Sequence, residues 1–133
     1  MYCHQCEQTA KGIACTIQGV CGKDDTTAAL QDLLLYAIKG IAMYAHRARR
    51  LGATDDALDV FVIEALFTTV TNVNFDPDRL TALIRRAAGM IARARALYGE
   101  ACRKAGTKPE ILGGPAAWEP AAGLRGSLPR RGR

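Results

Sequence analysis

The sequence lacks both the leader of an exported protein and the long apolar run of a membrane-spanning one. Its first residues are rich in Cys, His, Gln and Glu, where a secretory signal has a basic stretch, an apolar run and small residues. No segment reaches the roughly 18 apolar residues that a membrane span requires. These absences predict a cytoplasmic protein with no membrane partner. In a reducing cytoplasm, clustered cysteines are more often metal ligands or redox groups than disulfides.

The sequence also lacks a basic stripe interleaved with aromatic residues, although its net charge is +5. The segment 113–133 alone carries four arginines against one glutamate, which leaves little excess charge for the rest of the chain. Proteins that bind single-stranded nucleic acids combine basic grooves with aromatic stacking platforms. The pattern therefore predicts no nucleic-acid partner.

Helical periodicity dominates the middle of the chain, and no convincing strand pattern occurs. The first predicted helix runs from about Thr27 to Leu51 and ends at Gly52, which can adopt the left-handed conformation. Asp55 or Asp56 can cap a second helix, which is predicted to end at the turn 72–74. Its predicted apolar face consists of Leu58, Phe61, Val62, Ala65, Leu66, Thr69 and Val70.

The third predicted helix has the clearest start, with Asp76 as N-cap and Pro77 at the first helical position. Its apolar residues recur at alternating steps of four and three, which is typical of packing in a bundle. These seam positions are Leu80, Ile84, Ala87, Ile91, Ala94, Tyr98 and Ala101. Short connections favour antiparallel neighbours, so the sequence predicts an all-α, antiparallel three-helix bundle preceded by a Cys-rich loop.

Three regions follow from these patterns. Residues 1–26 form the predicted cluster-binding loop, and residues 27–106 form the predicted bundle. The tail, 107–133, is rich in Gly, Ala, Pro and Arg from residue 113 onward and has few sizeable apolar residues. Such a segment buries little to offset its ordering entropy, so disorder is predicted for it.

Four of the five cysteines fall within the first 21 residues in the spacing C-x2-C-x8-C-x5-C: Cys3, Cys6, Cys15 and Cys21. A disulfide pair, a structural zinc site and an iron-sulfur cluster are the three alternatives. Zinc sites are commonly built from two close cysteine pairs, and only the first two cysteines form such a pair here. The others arrive singly on a glycine-punctuated loop, which suits a larger cluster with separate iron corners. The spacing favours iron-sulfur over zinc and disfavours disulfides.

The wider sequence resembles a known family. The string CHQCEQTAKGIACTIQGVCGK, followed by LQDLLLYAIKGIAMYA and FVIEALFTTVTNVNFD, resembles the N-terminal region of the hybrid cluster proteins, or hydroxylamine reductases, over residues 1–118. The resemblance implies that Cys3, Cys6, Cys15 and Cys21 ligate a [4Fe-4S] cluster rather than a [2Fe-2S] centre. It also implies one-electron transfer toward the reduction of hydroxylamine to ammonia, or of nitric oxide, with electrons from a redox partner protein.

The resemblance also implies what this sequence does not contain. In that family a catalytic hybrid cluster is held by cysteines, glutamates and a histidine from downstream domains, whereas Cys102 is the one cysteine left over here. Its position in the third helix predicts a small buried or half-buried thiol. No catalytic residue is predicted, and the chain is expected to be a truncated or split family member, with a stand-alone electron carrier as the alternative. Such a member would bind the remainder of the enzyme or self-associate through a surface left exposed.

A second functional class remains open, namely a non-redox structural module in which zinc or an iron-sulfur site fixes the loop to the bundle. Three polar residues near the cysteines have ordinary interpretations. His4 is expected to face solvent. Lys11 and Lys23 are interpreted first as solvated surface lysines, and second as charges that raise the reduction potential of a cluster.

Overall fold

Three α-helices form the body of the protein in the computed structural model, which describes residues 1–70 and 74–121. Helix α1 spans Asp25–Arg50, α2 spans Asp56–Val70, and α3 spans Pro77–Ala105. No β-strand occurs among the described residues, whose one β-type pairing is an isolated bridge in the N-terminal loop. The all-α prediction is confirmed.

The helix ends follow the capping residues of the sequence. Asp24 caps α1 by accepting a hydrogen bond from the backbone N of Thr27 at 2.7 Å, so the helix begins two residues before its predicted start. Asp76 caps α3, with Pro77 at the first helical position, as predicted. Gly106 ends α3 in the left-handed conformation at φ 69°.

Helix α2 also begins where the sequence predicts. The Asp55 carboxylate accepts a hydrogen bond from the backbone N of Ala57 at 3.0 Å, which satisfies a free donor of the first turn. The turn predicted to end this helix falls largely on residues 71–73, which lie outside the described residues.

Side-chain bonds give the directions of the helices. Near the start of α1, the Gln31 amide donates to the carbonyl of Asn74, just before α3. Later in both helices, Arg95 donates to the Tyr44 hydroxyl at 3.2 Å, so α1 and α3 run in the same direction. Helix α2 runs the opposite way, since its early residue Asp59 pairs with Arg49 at the end of α1. This is the predicted up-down-up bundle.

The core lies mainly between α1 and α3. All seven seam positions predicted for α3 are buried. Helix α2 covers this core with Leu58, Phe61 and Ala65, but Leu66 is 37% exposed although the sequence places it on the same face. On the outer side of α2, Val60 and Ile63 are 53% and 67% exposed.

A short 3-10 turn, Gly114–Ala117, packs across α1 after the end of α3. Ala116 is fully buried, and its carbonyl accepts a hydrogen bond from Arg95 at 3.2 Å. The carbonyl oxygen of Pro115 lies where a side chain at Gly40 would begin, so only glycine fits at that point of α1. The predicted disorder of the tail remains a prediction for residues 122–133, which lie outside the described part of the chain.

Within the described ranges, none of the three helices combines the length and the apolar character that crossing a membrane requires.

Candidate metal centre

Two of the four predicted ligands, Cys3 and Cys15, lie side by side. The backbone N of Cys3 donates to the carbonyl of Cys15 at 3.0 Å, and the backbone N of Cys15 donates back at 2.8 Å. Both residues are buried and pack against Ala28 in the first turns of α1. The antiparallel bridge therefore brings two distant parts of the loop together above the start of α1.

The other two predicted ligands, Cys6 and Cys21, are half-buried. The Thr9 hydroxyl donates to the carbonyl of Cys6 at 2.6 Å and tightens the turn that follows the C-x2-C pair. Cys21 lies in a turn that is closed by a hydrogen bond of 2.8 Å from the Gly22 amide to the Gly19 carbonyl. Both residues therefore lie in tight turns of the same loop.

All five cysteines are free thiols. Within the part of the chain that the structure describes, no three Cys, His, Asp or Glu side chains are grouped so that they could hold a metal ion. The structure thus pairs Cys3 with Cys15 and leaves the gathering of all four thiols as a prediction.

Backbone amides stabilise the thiolate form of Cys15. Hydrogen bonds from the amides of Val20 and Ala10 lower the pKa of the Cys15 thiol, while burial acts in the opposite direction and the positive charge of Lys23 lowers it further. The Ala10 amide lies 3.5 Å from Sγ. Amides directed at a sulfur and a nearby cation are the surroundings that favour a deprotonated, ligating cysteine.

Lys23 differs from its interpretation as a surface lysine, because it is only 1% exposed. Its ammonium donates to Oε1 of Gln5 at 2.9 Å and lies 5.6 Å from the centre of the Phe75 ring. Among the ion pairs of the described residues, none involves this lysine. A buried cation without an anionic partner is costly, so the loop suits a group that carries negative charge. The paired Cys3 and Cys15 and this cation are surroundings that suit a thiolate-bound cluster.

Gln5, inside the C-x2-C pair, connects the loop to α1. Its side-chain nitrogen donates to the carbonyl of Ala28 at 3.2 Å and to the Asp32 carboxylate at 2.7 Å. Its side-chain oxygen accepts from Lys23. One amide therefore joins the first cysteine turn, the last cysteine turn and the helix.

Sequence reasoning missed Gln5 and gave Lys23 the wrong surroundings. The available signal was Gly19 in the GVCGK part of the motif. A Cβ at Gly19 would lie 3.0 Å from the Cβ of Lys23 and 3.1 Å from the Sγ of Cys21. A glycine at this position leaves room for the Cβ of Lys23, whose side chain is buried instead of extending into solvent.

The remaining residues near the site agree with their interpretation. His4 is exposed and makes an edge-to-face contact with the ring of Tyr2, the ring centroids being 5.7 Å apart. Lys11 is exposed, with a left-handed φ of 55°. Cys102 is buried in the bundle core and belongs to α3, apart from the loop.

An open groove of about 790 Å³ lies beside the C-x2-C pair. Its lining combines loop residues with one side of α1 and includes Tyr2, His4, Gln5, Tyr36 and Lys39. The groove gives molecules in solution an approach to the cysteine loop.

Comparison with known proteins connects this loop to a family. Residues 1–113 match the family model described as the Prismane/CO dehydrogenase family. The chain is 55% identical over 128 residues to a hydroxylamine reductase of Geobacter sulfurreducens, and 55% identical over 130 residues to one of Rhodospirillum rubrum. A hydroxylamine reductase of Methanocella arvoryzae is 48% identical over 128 residues.

These matches cover 95%, 96% and 96% of this chain, but only 23%, 24% and 23% of the respective relatives. The chain thus spans about a quarter of the length of the curated relatives that it matches.

Proposed function

Because the chain belongs to the Prismane/CO dehydrogenase family, we propose that its cysteine loop holds a [4Fe-4S] cluster and that it serves as the electron-transfer module of a hydroxylamine reductase. The proposed ligands are Cys3, Cys6, Cys15 and Cys21. The observation that carries the proposal is the family match over residues 1–113, which includes the whole loop. The relatives named hydroxylamine reductases support the activity to which the module contributes.

When bound, the cluster supplies a site that accepts and releases one electron at a time. The residues of this chain hold and surround that site. The bridge between Cys3 and Cys15 fixes the relative position of two ligands, and the amide of Ala10 stabilises charge on one of them. Lys23 provides a buried positive charge below the loop. These contacts suit a centre whose charge changes while its ligands stay in place.

The reaction of the complete enzyme is proposed from the same relatives. Reduction of hydroxylamine to ammonia and water consumes two electrons and two protons, so a one-electron module must act twice in each turnover. Nitric oxide is the alternative substrate. No catalytic residue is assigned to this chain, and the reaction centre is assigned to polypeptide corresponding to the remaining length of the relatives.

Two partners follow from this proposal, which places the chain in the reducing cytoplasm, where free thiols persist. A redox partner protein would donate electrons, and the groove beside Gln5 and Tyr36 offers it an approach to the loop. The polypeptide that carries the reaction centre would contact the outer side of α2, where Val60 and Ile63 are exposed.

A second candidate is the structural module, in which a metal fixes the loop to the bundle without redox chemistry. The packing of Cys3 and Cys15 on Ala28 favours it. The bonds from Gln5 to Ala28 and Asp32 also favour it, because they already join the loop to α1. The two candidates share their ligands and differ in the metal and in its response to a reductant.

Reconstitution distinguishes the two candidates. The full chain is incubated anaerobically with iron and sulfide and, separately, with zinc, and metal and sulfide contents are measured. The proposal expects four irons per chain, broad visible absorption, and a paramagnetic signal after reduction. A stable species formed only with zinc, without absorption or signal in the iron sample, would overturn it in favour of the structural module. Two irons per chain would instead show a [2Fe-2S] centre.

A further inference from the structure

Lys23 is the one charged residue among the buried residues of the described structure. An ammonium group has three hydrogens to donate and is strongly hydrated in water. Here it is removed from water and finds the neutral oxygen of Gln5 at 2.9 Å and the face of the Phe75 ring. A neutral acceptor and an aromatic ring offset part of the desolvation cost, and a neighbouring negative charge would offset much more.

The backbone directs this lysine into the loop. The amide of Gly19 donates to the carbonyl of Lys23 at 2.9 Å, which closes the chain around Cys21. Gly22, between the cysteine and the lysine, has a left-handed φ of 86° and turns the chain. The contacts around Gly19 thus bring the stem of Lys23 and the thiol of Cys21 to the same point.

Gln5 holds the ammonium from the opposite part of the loop. Its oxygen is available to Lys23 because its nitrogen is occupied by the Ala28 carbonyl and the Asp32 carboxylate, which fixes the orientation of the amide. The cation is therefore held between the turn of Cys3 and Cys6 and the turn of Cys21.

We propose that Lys23 is a positioning residue of the metal centre: its buried ammonium, oriented by Gln5, compensates the negative charge of the thiolate-bound cluster and makes that cluster easier to reduce. The inference rests on the proposed function. One electron from a reduced partner adds one negative charge to the centre, and no bond forms or breaks. A fixed positive charge in surroundings of low dielectric constant stabilises the reduced state more than the oxidised one.

The test compares Lys23→Gln with Lys11→Gln in the full chain. Both variants remove one positive charge from the same loop, but Lys11 is exposed and its charge is screened by water. Each reconstituted protein is titrated anaerobically, and the midpoint potential is read from the absorption and paramagnetic signals. Iron and sulfide contents and helical circular dichroism are measured in parallel.

We expect Lys23→Gln to keep its iron and to become harder to reduce by at least about tenfold in the equilibrium constant, which is a shift of about 59 mV for one electron. Lys11→Gln should shift by less than a third of that. A loaded Lys23→Gln protein with the potential of the unsubstituted chain would overturn the inference. Failure of the unsubstituted chain to take up iron and sulfide would instead overturn the proposed function.

A second variant covers the case in which Lys23→Gln loses its iron. Gln5→Glu keeps the lysine and places a carboxylate against its ammonium, which neutralises the local positive charge, and it also replaces the nitrogen that donates to Ala28 and Asp32. It should lower the potential in the same direction. If Gln5→Glu is loaded and its potential is unchanged, Lys23 does not tune the centre. If both variants lose iron while their helices remain folded, Lys23 is needed to assemble the centre, and the inference that it tunes the potential of an assembled cluster is overturned.

Discussion

The main chains of Cys3 and Cys15 bond to each other in both directions, at 3.0 and 2.8 Å. Eleven residues of loop separate them, including Cys6. The backbone therefore sets the relative position of two proposed ligands, while Cys6 lies in a turn between them and Cys21 in a turn that follows Cys15. This arrangement predicts that all four cysteines are needed together to bind the proposed cluster.

Single replacement of Cys3, Cys6, Cys15 or Cys21 by Ala should abolish the cluster, since each thiolate would hold its own iron corner. Iron and sulfide contents after anaerobic reconstitution measure the loss. Cys102→Ala is the matched control, because this thiol is buried in α3 and is not part of the loop. Iron lost from Cys102→Ala but fully retained by Cys21→Ala would show that the ligand assignment is wrong.

Removal of the metal should release the loop and leave the helices intact. Residues 1 to 24 bury few apolar side chains, since Ile13 and Ile17 are 68% and 93% exposed, whereas the helices share a core. Hydrogen exchange before and after chelation should show faster exchange of the loop amides and unchanged exchange near Ile84 and Ile91. Simultaneous loss of protection in both regions would contradict independent stability of the bundle.

The close contact of α1 with the segment after α3 makes Gly40 sensitive to substitution. Gly40→Ala would place a methyl group against the Pro115 carbonyl and should destabilise the protein by about 1–3 kcal/mol. Gly89→Ala is the control, because a Cβ there meets nothing within 4 Å and alanine is the better helix former by about 0.5–1 kcal/mol. Urea unfolding should move the two midpoints in opposite directions, and equal shifts would refute the contact.

The pair of Asp55 and Arg93 should contribute to stability only while the aspartate is ionised. The guanidinium bonds to both carboxylate oxygens, at 2.6 and 3.0 Å, and holds the pKa of Asp55 below its usual 3.8. A depressed pKa in the folded state means that this stabilisation is complete above the usual value and is lost as the pH falls through the lowered one.

Asp55→Asn should therefore flatten the acid side of the stability curve below about pH 4, and Arg93→Gln should flatten it in part, because Asp55 also accepts from the backbone N of Ala57. The double variant should have the acid slope of Asp55→Asn, because the ion pair is already absent once the carboxylate is removed. Thermal unfolding across the acid range measures this effect. An acid slope that is unchanged in both single variants would exclude the pair as its cause.

Exposed apolar residues on the outer side of α2 should cause concentration-dependent self-association of the isolated chain. Replacing Val60 and Ile63 together by Lys should reduce this association and change the free energy of unfolding by no more than about 0.5 kcal/mol per site. Phe61→Ala, on the buried side of the same helix, should instead cost about 3–5 kcal/mol. Sedimentation velocity over a concentration series measures the association. A monomeric unsubstituted chain at every concentration would contradict the prediction.

Much of the fold could be predicted from local signals. Asp76, Pro77 and Gly106 mark the ends of α3, and the alternating steps from Leu80 to Ala101 identify its buried face, because each signal acts within a turn or along one helix. The orientation of α2 was harder to predict. Its sequence is apolar on nearly every side, so periodicity could not separate the buried Phe61 from the half-exposed Leu66.

The residues of the candidate site could also be predicted only where a local pattern identifies them. Cysteine spacing and family resemblance identify the four thiols, but the surroundings of Lys23 depend on Gln5, eighteen residues away, and on Phe75, more than fifty residues away. The burial of Ala116 likewise depends on the close approach of Pro115 to Gly40. Such contacts are set by packing between distant segments, which no local pattern records.

The crossing of Gly40 by Pro115 also has a consequence for synthesis of the chain on the ribosome. Helix α1 is synthesised early, but the turn Gly114–Ala117, which packs against it at Gly40, is synthesised only after α3 is complete. During elongation the surface of α1 around Gly40 therefore stays exposed. The cysteine loop, which precedes α1, has by then already left the ribosome. Ordering of the loop can thus precede the packing of Pro115 against Gly40, so insertion of the proposed cluster and completion of the fold can take place as separate steps in time.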